Sequence, residues 1–130
     1  MVELMIIVVG IGILAAILLP QFMQQSTNSK QSEARLILKQ IYTNEQAYRQ
    51  KGVVNSYFIP GGVADSSNRF ALNEIWIELP PGAKYSYRIS GGTNTFTATA
   101  KANIDGDTTV DTWVMTEGGN LVNTVNDVLN

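Results

Sequence analysis

Between Leu4 and Leu19 the chain carries no charged or strongly polar side chain, so a helix over this stretch is apolar on every face rather than along one stripe. Such an element must be covered by a core, a bilayer or a bundle of identical helices. Sixteen residues rise about 24 Å as a helix, slightly short of the roughly 30 Å hydrocarbon thickness, and Val2, Phe22 and Met23 help to fill the gap. The polar remainder offers no obvious partners to wrap it. After Phe22 the pattern turns abruptly polar, Gln24-Gln25-Ser26-Thr27-Asn28-Ser29. That run reads either as a linker in which Asn28 caps a second helix, with Gln31 three residues on, or as the polar collar of one continuous helix. From Ser32 to Lys51 the pattern is amphipathic: Ala34, Leu38, Ile41 and Tyr48 recur at helical spacing and Ile37, Tyr42 and Ala47 widen the stripe. Glu45 and Arg49 are placed on the solvent side as a favourably spaced pair. Gly52 is the predicted stop. If the two helical segments are one, the helix is about 78 Å long, a long handle on a small bowl.

Residues 53–83 read as an irregular connection. Pro60-Gly61-Gly62 and Pro80-Pro81-Gly82 punctuate it, and Ile75, Trp76, Ile77 and Leu79 form a short apolar knot expected to plug the gap between helix and sheet. Trp76 could also serve as a ligand platform, but core packing is the favoured reading. From Lys84 the period becomes two. Tyr85, Tyr87 and Ile89 share one face, Gly91-Gly92 turns the chain, and Phe96, Ala98, Ala100 and Ala102 share a face opposite threonines. A third strand over Thr108 to Thr116 puts Trp113 and Met115 on one side and Val110 and Val114 on the other. Glu117-Gly118-Gly119-Asn120 turns again, and Leu121 to Asn130 forms either a short edge strand or a packed tail. Hairpin connections make the sheet antiparallel. The expectation is an α+β fold, a long N-terminal helix packed on an antiparallel sheet of three or four strands. Its parts are an apolar helix over 1–23, an amphipathic continuation over 24–52, a connecting loop over 53–83, and a sheet with its tail over 84–130.

Composition narrows the chemistry. With 130 residues there is room for one modest core beside the apolar helix. The net charge of −2 gives no electrostatic footprint for nucleic acid. There is no cysteine, so no disulfide and no thiolate metal site, and no histidine, which removes the commonest general base and transition-metal ligand. What remains for catalysis is a Ser–Lys arrangement or a carboxylate pair, and the spacing of Ser86, Lys84 and Glu78 suggests neither. The reading is not an enzyme.

Glu3 is the one acid beside the apolar run. A carboxylate at the centre of a membrane helix costs about 2.5–3.5 kcal/mol, less toward the ends. Glu3 is served either by its own chain's terminal amine near an interface or by a cation supplied by a neighbouring subunit. The run Glu3-Leu4-Met5-Ile6-Ile7-Val8-Val9, then Gly12-Ile13-Leu14-Ala15-Ala16-Ile17, then Pro20-Gln21-Phe22 closely resembles the N-terminal helix of type IV pilins and the related pseudopilins of type II secretion. The match is dense over roughly the first fifty residues and looser beyond. In family precursors a short basic leader is cleaved before a methylated first residue, and the glutamate follows after three more. Here Met1 and Val2 alone precede Glu3, so two residues of the mature chain are missing or the terminus is unusual; Gly10 is a second departure.

The resemblance implies a major pilin, held in the inner membrane as a single-pass protein and then drawn into an extracellular helical filament that serves roles such as adhesion or motility. It implies that Glu3 pairs with a neighbour's terminal amine, that the stretch between Gly12 and Pro20 loosens in the fibre, and that Glu3, Gly12, Pro20 and Phe22 carry assembly. Prepilin peptidase, an assembly platform and a motor ATPase are the implied partners. A major pseudopilin, or a membrane-tethered module binding calcium or another ligand, are the alternatives. Many pilins close the C-terminal region with a disulfide, so something else must tie that end down here.

The only site-like constellation is Asn103-Ile104-Asp105-Gly106-Asp107-Thr108-Thr109-Val110-Asp111. Asn103, Asp105, Asp107, Thr109 and Asp111 place oxygens at alternate positions, as calcium loops do. The glycine usual at the sixth position is Thr108 and the acid usual at the twelfth is Val114. An acidic hairpin turn on Asp105-Gly106-Asp107 is the favoured reading, and calcium is the one candidate cofactor.

Overall fold

The structure is a computed structural model. It describes all residues except 53–54, 105, 107 and 128–130, together with the helical backbone but not the side chains of 17–28. Pro20 and Phe22 therefore have described backbone only. One helix, α1 (Val2–Lys51), takes up 50 residues and continues through Pro20 and the polar run after it, a length of about 75 Å. Of the two readings of residues 24–29, the continuous helix is the one found. Its end is not a left-handed glycine cap. Gly52 has φ −73° and ψ 141°, and its N–H donates to the Tyr48 carbonyl. A Cβ there would lie 3.1 Å from that same oxygen, so crowding rather than a positive φ favours glycine.

Four antiparallel strands follow in the order β1 (Ser86–Gly91), β2 (Phe96–Ala102), β3 (Asp111–Thr116) and β4 (Leu121–Val125). The segment after Asn120 is thus an edge strand, and β3 begins at Asp111 rather than Thr108. Gly91 turns the chain into β2 with φ 147°, and a Cβ on it would meet the Thr95 carbonyl at 2.3 Å; only glycine fits that approach. The loop before the sheet contributes a single 3-10 turn, Asn73–Ile75, and an antiparallel bridge from Ala64 to Tyr87 on β1.

The two amphipathic faces meet as their periods require. Tyr87, Ile89, Phe96, Ala98, Ala100, Ala102, Trp113 and Met115 form the inner face of the sheet, and Ala34, Ile37, Leu38 and Ile41 face it from α1. The alanines of β2 leave room for the helix, which crosses β2 and β3, to approach closely. Tyr57, Leu72, Ile75, Ile77 and Leu79 close the core from the loop.

Two expectations fail here. Trp76 does not plug the core. It ends the 3-10 turn in the left-handed conformation, φ 60° and ψ 31°, which turns its side chain out to 58% exposure between two buried isoleucines. The Lys51 ammonium lies 4.9 Å from its ring centre. Glu45 does not pair with Arg49 in solvent: it is 0% exposed, because it falls four residues after Ile41 and seven after Leu38 on the apolar stripe. One oxygen, Oε2, accepts the Phe58 N–H at 2.8 Å, and Oε1 has no partner. Arg49 turns instead to Asn55 and Asn94 and lies over the Tyr57 ring.

Burial raises the Glu45 pKa from 4.5 to about 7, and the Phe58 N–H only partly offsets it. A carboxyl whose folded pKa is raised contributes stability that is complete below its unfolded pKa and is lost as the pH climbs through the folded one. Between about pH 5 and pH 8 the head should therefore lose on the order of 1–3 kcal/mol from this group. Glu45→Gln keeps an acceptor for Phe58 and removes the charge. Thermal melts followed by circular dichroism should show the variant above the parent at pH 8 and level with it at pH 5, and parallel curves across that range would refute the assignment.

Candidate functional site

Two features stand apart from the packing of the head. The first is the N-terminal part of α1. Every described residue from Met1 to Ala16 is exposed, with Val2 at 71%, Leu4 at 67% and Leu14 at 61%, so no other element of the chain covers it. Among the described residues no helix is long and apolar enough to cross a membrane. Gly10 and Gly12 have nothing within 4 Å of where a Cβ would stand, and packing within the chain gives no reason for a glycine at either position. Glu3 lies in the first turn, where the helix dipole favours an acid, and among the described residues the one ion pair is Arg69–Glu78.

The second feature is built around Asp111. The period of β3 puts Asp111 on the same inward face as Trp113 and Met115, and it is fully buried. Its Oδ1 accepts from Gln31 Nε2 at 3.0 Å, Asn123 Nδ2 at 3.2 Å and the Asp127 N–H at 3.1 Å. Its Oδ2 accepts from the Tyr85 hydroxyl at 2.5 Å and the Trp113 indole N–H at 2.7 Å. Burial works against the charged form, but these donors, led by Tyr85, outweigh it and hold the carboxyl below the usual carboxylate range. The donors come from α1, the residue just before β1, β3, β4 and the C-terminal segment. Around them Gln31 also donates to Asn126, Asp127 accepts the Ile104 N–H and Lys30 donates to the Ile104 carbonyl. This network fastens the C-terminal end of a head that lacks cysteine.

The loop leading into it bears on the calcium reading. Asn103 Oδ1 accepts the Gly106 N–H at 2.8 Å. Asp111, offered by the sequence as the last ligand, spends both oxygens on N–H and O–H donors inside the core, so it is turned away from the loop it was expected to complete. Asp105 and Asp107 lie outside the described residues, and Thr109 is half-buried. Among the described residues no three acids gather as a metal would need. The sequence reading missed Gln31, Tyr85, Trp113, Asn123 and Asp127 as partners of one acid. The available signal was the alternation that makes Asp111 inward-facing with Trp113.

No family model matches the chain. Over 90 residues, 69% of this chain, it is 39% identical to the type IV major pilin protein PilA of Myxococcus xanthus (strain DK1622), and it spans about a third of that relative, 35% of its length. The resemblance read from Glu3 to Phe22 is thus borne out by a relative of that kind, and the α+β fold agrees with it.

Asp111→Asn leaves one carboxylate oxygen position as an amide facing donors. It should lower the stability of the head by at least about 2 kcal/mol, since each buried donor left unpaired costs roughly 1–3 kcal/mol. Amide exchange should accelerate first at Leu121 to Asp127, ahead of β1 and β2. Uniform acceleration across the sheet would show that the network is not what fastens this end.

Proposed function

We infer that this chain is a type IV pilin that works as the structural subunit of a surface filament, polymerising through the apolar part of α1. The observation that carries the reading is the uncovered surface from Val2 to Ala16, with Glu3 at its end, in a chain 39% identical over 90 residues to a major pilin. Side chains of this kind gain about 1.5–3 kcal/mol each when taken fully out of water, so the segment needs a host. Before assembly the host is the inner membrane, with the helix spanning it once. After assembly the hosts are neighbouring copies of the same helix, repeated by rotation and rise as heterologous contacts that leave an open fibre. Gly10 and Gly12, unexplained by the chain's own packing, support close approach of a second helix.

Glu3 sets the register. A carboxylate among apolar helices costs several kcal/mol unless a cation meets it, and a neighbour's terminal amine supplies that cation only when the incoming subunit is correctly placed. Leader cleavage by prepilin peptidase, an assembly platform and a motor ATPase complete the process on this reading. The loop at Asn103 to Asp111 takes no part in it.

Glu3→Ala should abolish surface filaments, or cut them by at least about tenfold, while the amount of subunit in the membrane fraction stays at the parental level. Electron microscopy of sheared fibres with immunoblots of membranes measures both. Filaments of parental abundance and symmetry would overturn the role given to Glu3.

A further inference from the structure

The outer face of the sheet carries a second kind of surface. Ser86 stands opposite Lys101, and Arg88 opposite Thr99, in the β1–β2 register. These four side chains and Val63 line a hollow of about 220 Å³. Val63 is held there because the next residue, Ala64, exchanges both backbone hydrogen bonds with Tyr87 at 2.9 and 2.7 Å, so the wall is fixed to β1. Arg88 and Lys101 are exposed and sit diagonally across the two strands, a spacing of roughly 7–8 Å between backbones. Two cations on one face repel unless an anion lies between them.

Among the described residues no acid lines the hollow, and three carboxylates of the head are engaged elsewhere. Asp65 is bonded into its own turn by Ser67 and Asn68. Glu33 accepts from the Lys84 N–H and from the Tyr87 hydroxyl, on the helix side of the sheet. Glu78 pairs with Arg69. In a chain of net charge −2 this is a local inversion of sign. The Thr99 hydroxyl adds a group that donates to oxyanions and to sugar hydroxyls alike, and Ser86, whose hydroxyl donates to the Lys101 carbonyl at 3.3 Å, adds an oxygen that accepts from sugar hydroxyls.

We propose that the outer face of β1 and β2, at Arg88, Lys101, Ser86 and Thr99, is a binding site for the sulfate or carboxylate groups of an acidic polysaccharide. The ligand class follows from the lining. The cations call for an oxyanion, with the arginine able to hold it by two parallel hydrogen bonds. Val63 gives one apolar contact, and among the described residues lining the hollow there is no aromatic ring on which a nucleic-acid base would stack. That the ligand is a polymer rests on the filament reading above: a fibre repeats the hollow in every subunit, and repetition turns weak single contacts into firm attachment.

The test uses the full chain, unassembled in a nonionic detergent, against four immobilised probes: a heparin-type sulfated glycan, a polyuronate, uncharged dextran and single-stranded DNA. The parent should hold the two acidic glycans, with affinity falling as salt is added. R88Q/K101Q should weaken that binding by about tenfold or more, and K39Q, which removes an equal type of charge from α1, should leave it unchanged. Circular dichroism confirms that each variant is folded. Equal retention on dextran, equal loss in K39Q, or no loss in R88Q/K101Q overturns the site, and tighter binding of DNA through the same two residues overturns the assignment to a glycan. Because the chain is unassembled, these results are independent of filament formation: Glu3→Ala should bind as the parent does even where it forms no fibres.

Discussion

A single helix has to satisfy two different surroundings, and the rest of the molecule follows from that constraint. From Val2 to Ala16 the described surface of α1 is apolar and uncovered. From Gln31 onward the same helix is the spine on which the sheet packs, through Ala34, Ile37, Leu38 and Ile41. The two parts belong to one helix from Val2 to Lys51, so the head is carried on the same element as the apolar part. Whatever covers the apolar part thereby holds the head at the other end of that helix, and a contact repeated at the helix repeats the head with it.

The head is held by two buried acids that illustrate opposite sides of one rule. Asp111 is surrounded by donors, so its charge is favoured in the fold despite full burial. Glu45 has one backbone donor and a second oxygen with none, so burial prevails and the neutral form is favoured up to about pH 7. What decides between them is the number of donors within reach rather than depth. Asp111 strengthens the fold at neutral pH, whereas Glu45 holds the start of the helix-to-sheet loop at Phe58 while the cost of its burial grows as its proton leaves.

Most of the architecture was legible because period and type agreed. The even spacing of Phe96, Ala98, Ala100 and Ala102 places β2, and Ala34, Leu38 and Ile41 place the inner face of α1. The failures came where residue type was allowed to override period. Glu45 and Asp111 both lie on the buried phase of their elements, yet because they are charged Glu45 was placed on the solvent side and Asp111 among the candidate ligands of a calcium loop. Trp76 failed for the opposite reason: in a loop there is no period, and its aromatic ring suggested the core, while a left-handed backbone turned it out. The diagonal pairing of Arg88 and Lys101 depends on the register between two strands, which follows from the β1–β2 turn and is not written in either strand alone.

The sheet itself is poorly suited to drive association, which agrees with the proposal that α1 is the assembling element. An open strand edge invites pairing with another chain. On one side the loop occupies part of that edge, since Ala64 bridges to Tyr87 on β1. On the other, β4 is displaced by a register shift between Thr112 and Trp113, and the Asn123 amide donates to the Thr112 and Val125 carbonyls and to Asp111. A side chain that bonds its own strand's carbonyl removes an acceptor that an incoming strand would need, and the shift bends the edge away from a straight partner. The acid that fastens the C-terminal end therefore also steadies the edge strand, through the same Asn123 amide.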